Sequence, residues 1–90
     1  MSKSYYIDYE ELRTSRDARQ AFYQSRLWRD LREQVLLENP LCEFCKDTGK
    51  IELATVVDHI VNIQEIPQKC LDKDNCRALC SEVGYSRIKE

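Results

Sequence analysis

Five cysteines in a chain of 90 residues constrain this sequence more than any other feature. A domain this short buries only about 60 to 65% of the surface its unfolded chain exposes, so a staple beyond the apolar core is expected. An odd number of cysteines does not close into a complete set of disulfides, and the opening stretch MSKSYYIDYEELRTSRD has no apolar run of the kind that directs secretion. The thiols are therefore expected as metal ligands in a reducing compartment. Cys42 and Cys45 form a C-x-x-C turn whose thiolates can share one ion, and Cys80 stands where the first of a second pair belongs. Three residues on, the chain has Val83, which ligates nothing, so Cys76 or Cys70 is the substitute fourth ligand to look for. The alternative is that the cysteines stay reduced and pack as small apolar groups.

No stretch approaches the ~18 apolar residues of a membrane span, and a soluble, cytoplasmic protein is expected. The net charge of -2 and pI near 5.4 do not suit a general nucleic-acid coat. The distribution is more telling than the sum. Between residues 13 and 32 stand Arg13, Arg16, Arg19, Arg26, Arg29 and Arg32 against Asp17 and Asp30, a stripe that can meet phosphates or simply be a solvated helix face.

The segment SRLWRDLREQVLLENP reads as a helix, with Ser25 as its N-cap. Leu27, Trp28, Leu31 and Val35 form its apolar stripe, and Asn39-Pro40 end it. Trp28 is expected in the core. Residues 8–24 are expected to be helical as well, with a break around Phe22 and Tyr23. After the cysteine turn and DTGK comes a β-branched run from Thr55 to Val61, then a loop carrying Pro67, Asp72, Asp74 and Asn75. CRALC is a second strand or a single turn, and SEVGYSRIKE begins a terminal helix.

The only histidine, His59, lies beside Asp58 in the middle of that β-branched run. Taken alone, the pair is best read as a satisfied structural histidine. Its context changes the reading. The ordered set FYQSRLWRDLR, NPLCEFC, ATVVDHIV, DNCRALC and YSRIK resembles the small HNH endonucleases of bacteriophages and prophages, often encoded beside the packaging terminase. The resemblance runs over residues 22–90.

This resemblance implies an α+β fold: an N-terminal helical extension over residues 1–24, then a ββα-metal finger over residues 25–90 with a partial zinc knuckle. It implies His59 as the general base that activates water, Asp58 as ligand of a catalytic Mg, Mn or Ni ion, and Asn75 as the residue that fixes the loop between the strands. Cys42, Cys45 and Cys80 would hold the structural zinc, with Cys76 as the possible substitute ligand, and Arg26, Arg29 and Arg32 would touch DNA phosphates. The implied partners are DNA, read with little sequence selectivity, and a phage terminase, in the cytoplasm of a bacterial host.

The departure from the family pattern is local. Members continue after the equivalent of Cys80 as C-x-x-C-H, whereas this chain has Val83 and Gly84 at the last two places. One ligand is thereby missing from each implied metal site. The competing expectations are an inactive finger kept as a DNA- or protein-binding module, and a zinc-stapled adaptor that touches no nucleic acid. Alternation along a regular strand sends Asp58 and His59 to opposite faces, so the strand must end or twist there for both to serve one site.

Overall fold

The computed structural model describes residues 7–88, with side chains up to residue 84. The expected YSRIK segment therefore lies outside the described side chains, as do residues 1–6 of the helical extension. Helices α1 (Tyr9–Thr14), α2 (Arg16–Tyr23), α3 (Arg26–Glu38) and α4 (Glu43–Asp47) precede two antiparallel strands, β1 (Val56–His59) and β2 (Cys76–Leu79), and α5 (Ser81–Ile88) follows. No helix of the described residues is long and apolar enough to cross a membrane.

Capping residues set the helical breaks. Asp8, Ser15 and Ser25 each stand at an N-cap, their side-chain oxygens accepting the amide N–H groups of Glu11, Ala18 and Trp28. The expected single helix over residues 8–24 is thus two helices. Ser15 is extended, closes α1 with its N–H on the carbonyl of Glu11 and opens α2 with its hydroxyl. The α3 boundaries are those the sequence predicts, and Trp28 and Val35 are buried along its stripe.

The knuckle between α3 and β1 is held by backbone pairing around an isolated Leu41–Leu53 bridge, with Cys42 N–H on the carbonyl of Glu52. Its short α4 ends at Gly49, whose φ of +83° is open to glycine but strained for other residues. That conformation lets Lys50 N–H return to the carbonyl of Cys45.

β1 is shorter than the β-branched run from Thr55 to Val61. It pairs with β2 in the register Val56–Leu79, Val57–Ala78, Asp58–Arg77 and His59–Cys76, which makes CRAL a strand. Strict alternation buries Val57 and His59 on one face and leaves Val56 and Asp58 half-buried on the other. The loop between the strands contains two short 3-10 turns at Pro67–Lys69 and Lys73–Asn75.

Two apolar clusters result. The larger joins Leu12 and Phe22 from the first helices with Trp28, Val35, Val57, Ile63, Cys70 and Ala78. The smaller is Cys42, Leu79 and Cys80, with Phe44, Cys45 and Val83 packed against it. α5 crosses the outer face of β1 so closely that Gly84 faces Val56 with no room between them.

Candidate functional site

His59 is the last residue of β1 and is 8% exposed. Its ring lies against Trp28, centroids 4.8 Å apart, with Tyr23 and Phe22 at 5.9 and 6.5 Å. The imidazole Nε2 is 3.0 Å from the backbone carbonyl of Cys70. A carbonyl only accepts, so Nε2 carries the hydrogen and Nδ1 of the neutral ring carries the lone pair. Nδ1 is 3.3 Å from the hydroxyl of Tyr23, which therefore donates to it. Burial pushes the imidazole below its ordinary value of 6.5, opposed by the Cys70 carbonyl and the negative charge of Asp58, so the ring is neutral at pH 7.

Asn75, buried at 5% exposure, ties the loop to the end of β1. Its Oδ1 accepts from Val61 N–H at 2.8 Å, and its Nδ2 donates to the carbonyls of Val61 and Lys69 at 3.1 and 3.3 Å. The backbone carbonyl of Asn75 receives Ile60 N–H at 2.8 Å. All of these fix the chain where it leaves His59, and none reaches the imidazole itself.

Asp58 points to the opposite face because β1 stays regular through His59, so the end or twist of the strand expected to bring both residues to one site is not found. There its carboxylate lies 3.5 Å from Nη2 of Arg77, its cross-strand partner. Arg77 has a side chain only 12% exposed, stacks 5.2 Å over the ring of Phe44, and has no hydrogen-bond partner for Nε or Nη2. Sequence reasoning missed Arg77, because its significance arises only from the strand register. Tyr23 was missed too, since it approaches His59 across 36 positions of sequence. An aromatic residue closing a helix beside a capping Ser25 was the available signal.

The thiols of Cys42, Cys45 and Cys80 lie within 4.8 Å of one another, and Sγ of Cys45 and Cys80 are 3.8 Å apart. A tetrahedral zinc with bonds near 2.3 Å has sulfur–sulfur edges of about 3.8 Å, so the trio fits three corners of such an ion. Burial opposes ionisation of Cys42, but the amide groups of Cys45 and Cys80 and the neighbouring thiols outweigh it and lower its pKa. Val83 packs against this cluster and offers no ligand atom.

The expected substitute ligands belong elsewhere. Cys76 opens β2, donates to the carbonyl of Asp72, and packs against the larger core; burial and the charges of Asp72 and Asp58 push its thiol up to about 11. Cys70 is buried in that same core, its thiol likewise raised by burial. Among the described residues the cysteine trio is the one set of three or more acidic, thiol or imidazole groups close enough to share an ion, and Asp58 is not part of it.

The three arginines differ. Arg26 and Arg29 are exposed on α3, with Arg26 loosely paired to Asp30 at 3.9 Å. Arg32 is half-buried and donates at 2.9 Å to the carbonyl of Thr55, which anchors α3 to the entry of β1.

Comparison with known proteins agrees with this arrangement. The sequence pattern of the HNH endonuclease family matches residues 42–82, which span the cysteine turn, both strands and the start of α5. The crystal structure of the HNH endonuclease of the deep-sea thermophilic bacteriophage GVE2, determined with manganese ion, is similar to the whole chain. The TM-score is 0.76 at 33% identity, over 89% of this chain and 88% of that one. No curated protein sequence matches the chain. Extended over nearly the full length of both proteins, this likeness establishes that the chain belongs to the HNH endonuclease family.

Proposed function

We propose that the chain is a metal-dependent endonuclease or nickase of DNA, in which His59 takes the proton of the attacking water. The observation that carries this is the neutral imidazole at the end of β1. With Nε2–H committed to the Cys70 carbonyl, the ring keeps one basic lone pair, on Nδ1. In this reading residues 25–90 are the nuclease finger. Residues 1–24 are an N-terminal extension whose helix α2 contributes Tyr23 and Phe22 to the walls around the imidazole.

Asn75 holds the loop so that His59 stays at the strand end, acting on geometry and not on the proton. Asp58 would hold a divalent ion, Mg, Mn or Ni, which when bound neutralises charge on the scissile phosphate. The donor set fits such an ion only in part, and Asp58 lies on the face of β1 opposite the His59 imidazole. One carboxylate is present, Gly84 offers no ligand, and remaining positions fall to waters and phosphate oxygens, as they commonly do for Mg²⁺. Cys42, Cys45 and Cys80 would hold zinc as a brace, and Arg26 and Arg29 would meet backbone phosphates, which position without reading sequence. The phage origin of the similar structure supports a phage or prophage protein; the bacterial cytoplasm as its place and a packaging terminase as its partner rest on the family resemblance alone.

Two features favour a second reading, an inactive finger that binds DNA or protein: the missing ligand at Gly84, and the guanidinium of Arg77 beside Asp58. Supercoiled plasmid incubated with Mg²⁺, Mn²⁺ or Ni²⁺ separates them. The nuclease reading expects nicking that His59→Ala abolishes and Asp58→Asn strongly reduces, with DNA binding retained by both. Wild-type protein that binds the plasmid and nicks it with none of the three ions establishes the second reading instead.

A further inference from the structure

His59 is enclosed on every side that the described residues define. Trp28 and Phe22 cover its ring, the carbonyl of Cys70 occupies Nε2, and the hydroxyl of Tyr23 occupies Nδ1. A base that is 8% exposed, with its single lone pair already accepting a hydrogen bond, has no free atom to offer a water molecule. Tyr23, by contrast, is 41% exposed while its ring packs edge-on against Phe22 and Trp28, with centroids at 5.3 and 5.4 Å. The ring thus lies in the aromatic wall and the part-buried hydroxyl on Nδ1 of His59, in a residue that solvent reaches.

We infer that Tyr23 is the proton relay of this site: water reaches the tyrosine hydroxyl, and the hydroxyl reaches the imidazole. The inference rests on the reading of His59 as base. In the step, the O–H bond of water breaks as its proton passes to the oxygen of Tyr23, and the O–H bond of Tyr23 breaks as its own proton passes to Nδ1. The hydroxide bonds to phosphorus, and the bond from phosphorus to the leaving oxygen breaks. That oxygen takes a proton from solvent and the imidazolium later returns one, so tyrosine ends neutral and one water is consumed per bond cut. The phenol enters the step protonated, since the ordinary tyrosine value near 10 is already well above neutral pH and burial raises it further.

Tyr23→Phe deletes one oxygen and leaves the aromatic wall, so the fold is preserved and the melting temperature is its control. Because the chain has a single histidine, ¹⁵N spectroscopy sees one imidazole. In the wild type Nδ1 should resonate as a hydrogen-bonded acceptor, and in Tyr23→Phe it should move toward the position of a free lone pair; an unmoved resonance overturns the relay. Nicking by Tyr23→Phe should fall about a hundredfold or more, the usual worth of a positioned acid–base group. Rates in H₂O/D₂O mixtures should be curved in the wild type, since two protons move in one step. A straight line, or Tyr23→Phe nicking within about threefold of wild type while His59→Ala is dead, shows His59 meeting water directly and sinks the relay alone. A wild type that cuts nothing overturns the relay and the nuclease reading together, and the ¹⁵N result then says only whether the hydrogen bond exists.

Discussion

A Cβ placed on Gly84 would stand 3.0 Å from Cγ1 of Val56, 3.1 Å from its Cβ and 3.3 Å from its Cγ2. Gly84, which the family resemblance would set in the place of the motif histidine, is where α5 touches β1. Gly84→Ala gains about 1 kcal/mol of helix propensity, but its methyl crowds the Val56 side chain, and overpacking of this kind costs about 1 to 3 kcal/mol. We expect a net loss of about 1 kcal/mol in urea unfolding, recovered when Val56→Ala is added. A gain in stability from Gly84→Ala alone would show that the helix moves freely over the strand. The same contact means that Gly84→His restores no ligand unless Val56 is trimmed with it.

What the sequence discloses about this molecule is what is local. Ser25, the stripe of Leu27, Trp28, Leu31 and Val35, and Asn39-Pro40 define α3 correctly because caps and periodicity act within a few residues. Alternation placed Asp58 and His59 on opposite faces for the same reason. Ser15 was overlooked as a cap because the flanking residues all favour helix, and nothing apolar marks the break. Arg77 against Asp58 and Tyr23 against His59 depend on register and on helix docking, which no short window contains. The cysteine trio lies between these cases. Its spacing suggested three ligands, but only packing shows that Cys76 and Cys70 point into the other core.

Val83 packs against the cluster that holds the three thiols, so Val83→Cys is expected to complete a four-thiolate site. Structural zinc in finger peptides is worth about 10 to 16 kcal/mol over four ligands, roughly 3 kcal/mol each, or about a hundredfold in affinity. Competition with a chromophoric chelator should show Val83→Cys holding zinc at least that much more tightly than the wild type, and melting higher with zinc but not without it. Equal zinc affinity in the two proteins would mean that residue 83 does not face the ion.

The guanidinium of Arg77 opposes any cation at Asp58. A divalent ion about 5 Å away is disfavoured by about 1.7 kcal/mol even at the dielectric of water, more than tenfold in affinity. Arg77→Met keeps most of the buried volume but removes the ion pair with Asp58 and the stacking on Phe44, so a loss of about 1 kcal/mol is expected. Manganese titration followed by electron paramagnetic resonance should then find binding about tenfold tighter, and Asp58→Asn should cancel the gain. No tightening would place the ion away from Asp58.

His59 also sets a pH dependence of stability. Its folded pKa lies below the unfolded value of 6.5 because the charged ring would be buried. Between those two values the unfolded chain binds a proton that the folded chain does not. The contribution of the neutral ring is thus intact above about 6.5 and is lost as pH falls through the window below it. Melting temperature should drop between about pH 7 and pH 5 in the wild type and remain flatter in His59→Gln, which does not titrate there. Parallel curves for the two proteins would assign the drop to carboxylates.

The arginines of α3 separate into two kinds by their partners. Arg26 and Arg29 are exposed, and each phosphate that the protein ceases to neutralise lowers the slope of log affinity against log salt by about 0.9 on duplex DNA. Replacing both by alanine should lower that slope by about 1.8 on every sequence tested, with melting unchanged, because the loose Arg26–Asp30 pair contributes little at the surface. Arg32 donates to the carbonyl of Thr55, where the chain enters β1. Arg32→Ala should instead cost about 0.5 to 1.5 kcal/mol of stability, the net worth of one hydrogen bond, and leave the salt slope nearly as it was. If Arg32→Ala flattens the slope while the double replacement does not, DNA lies along the α3–β1 junction and not along the exposed face of α3.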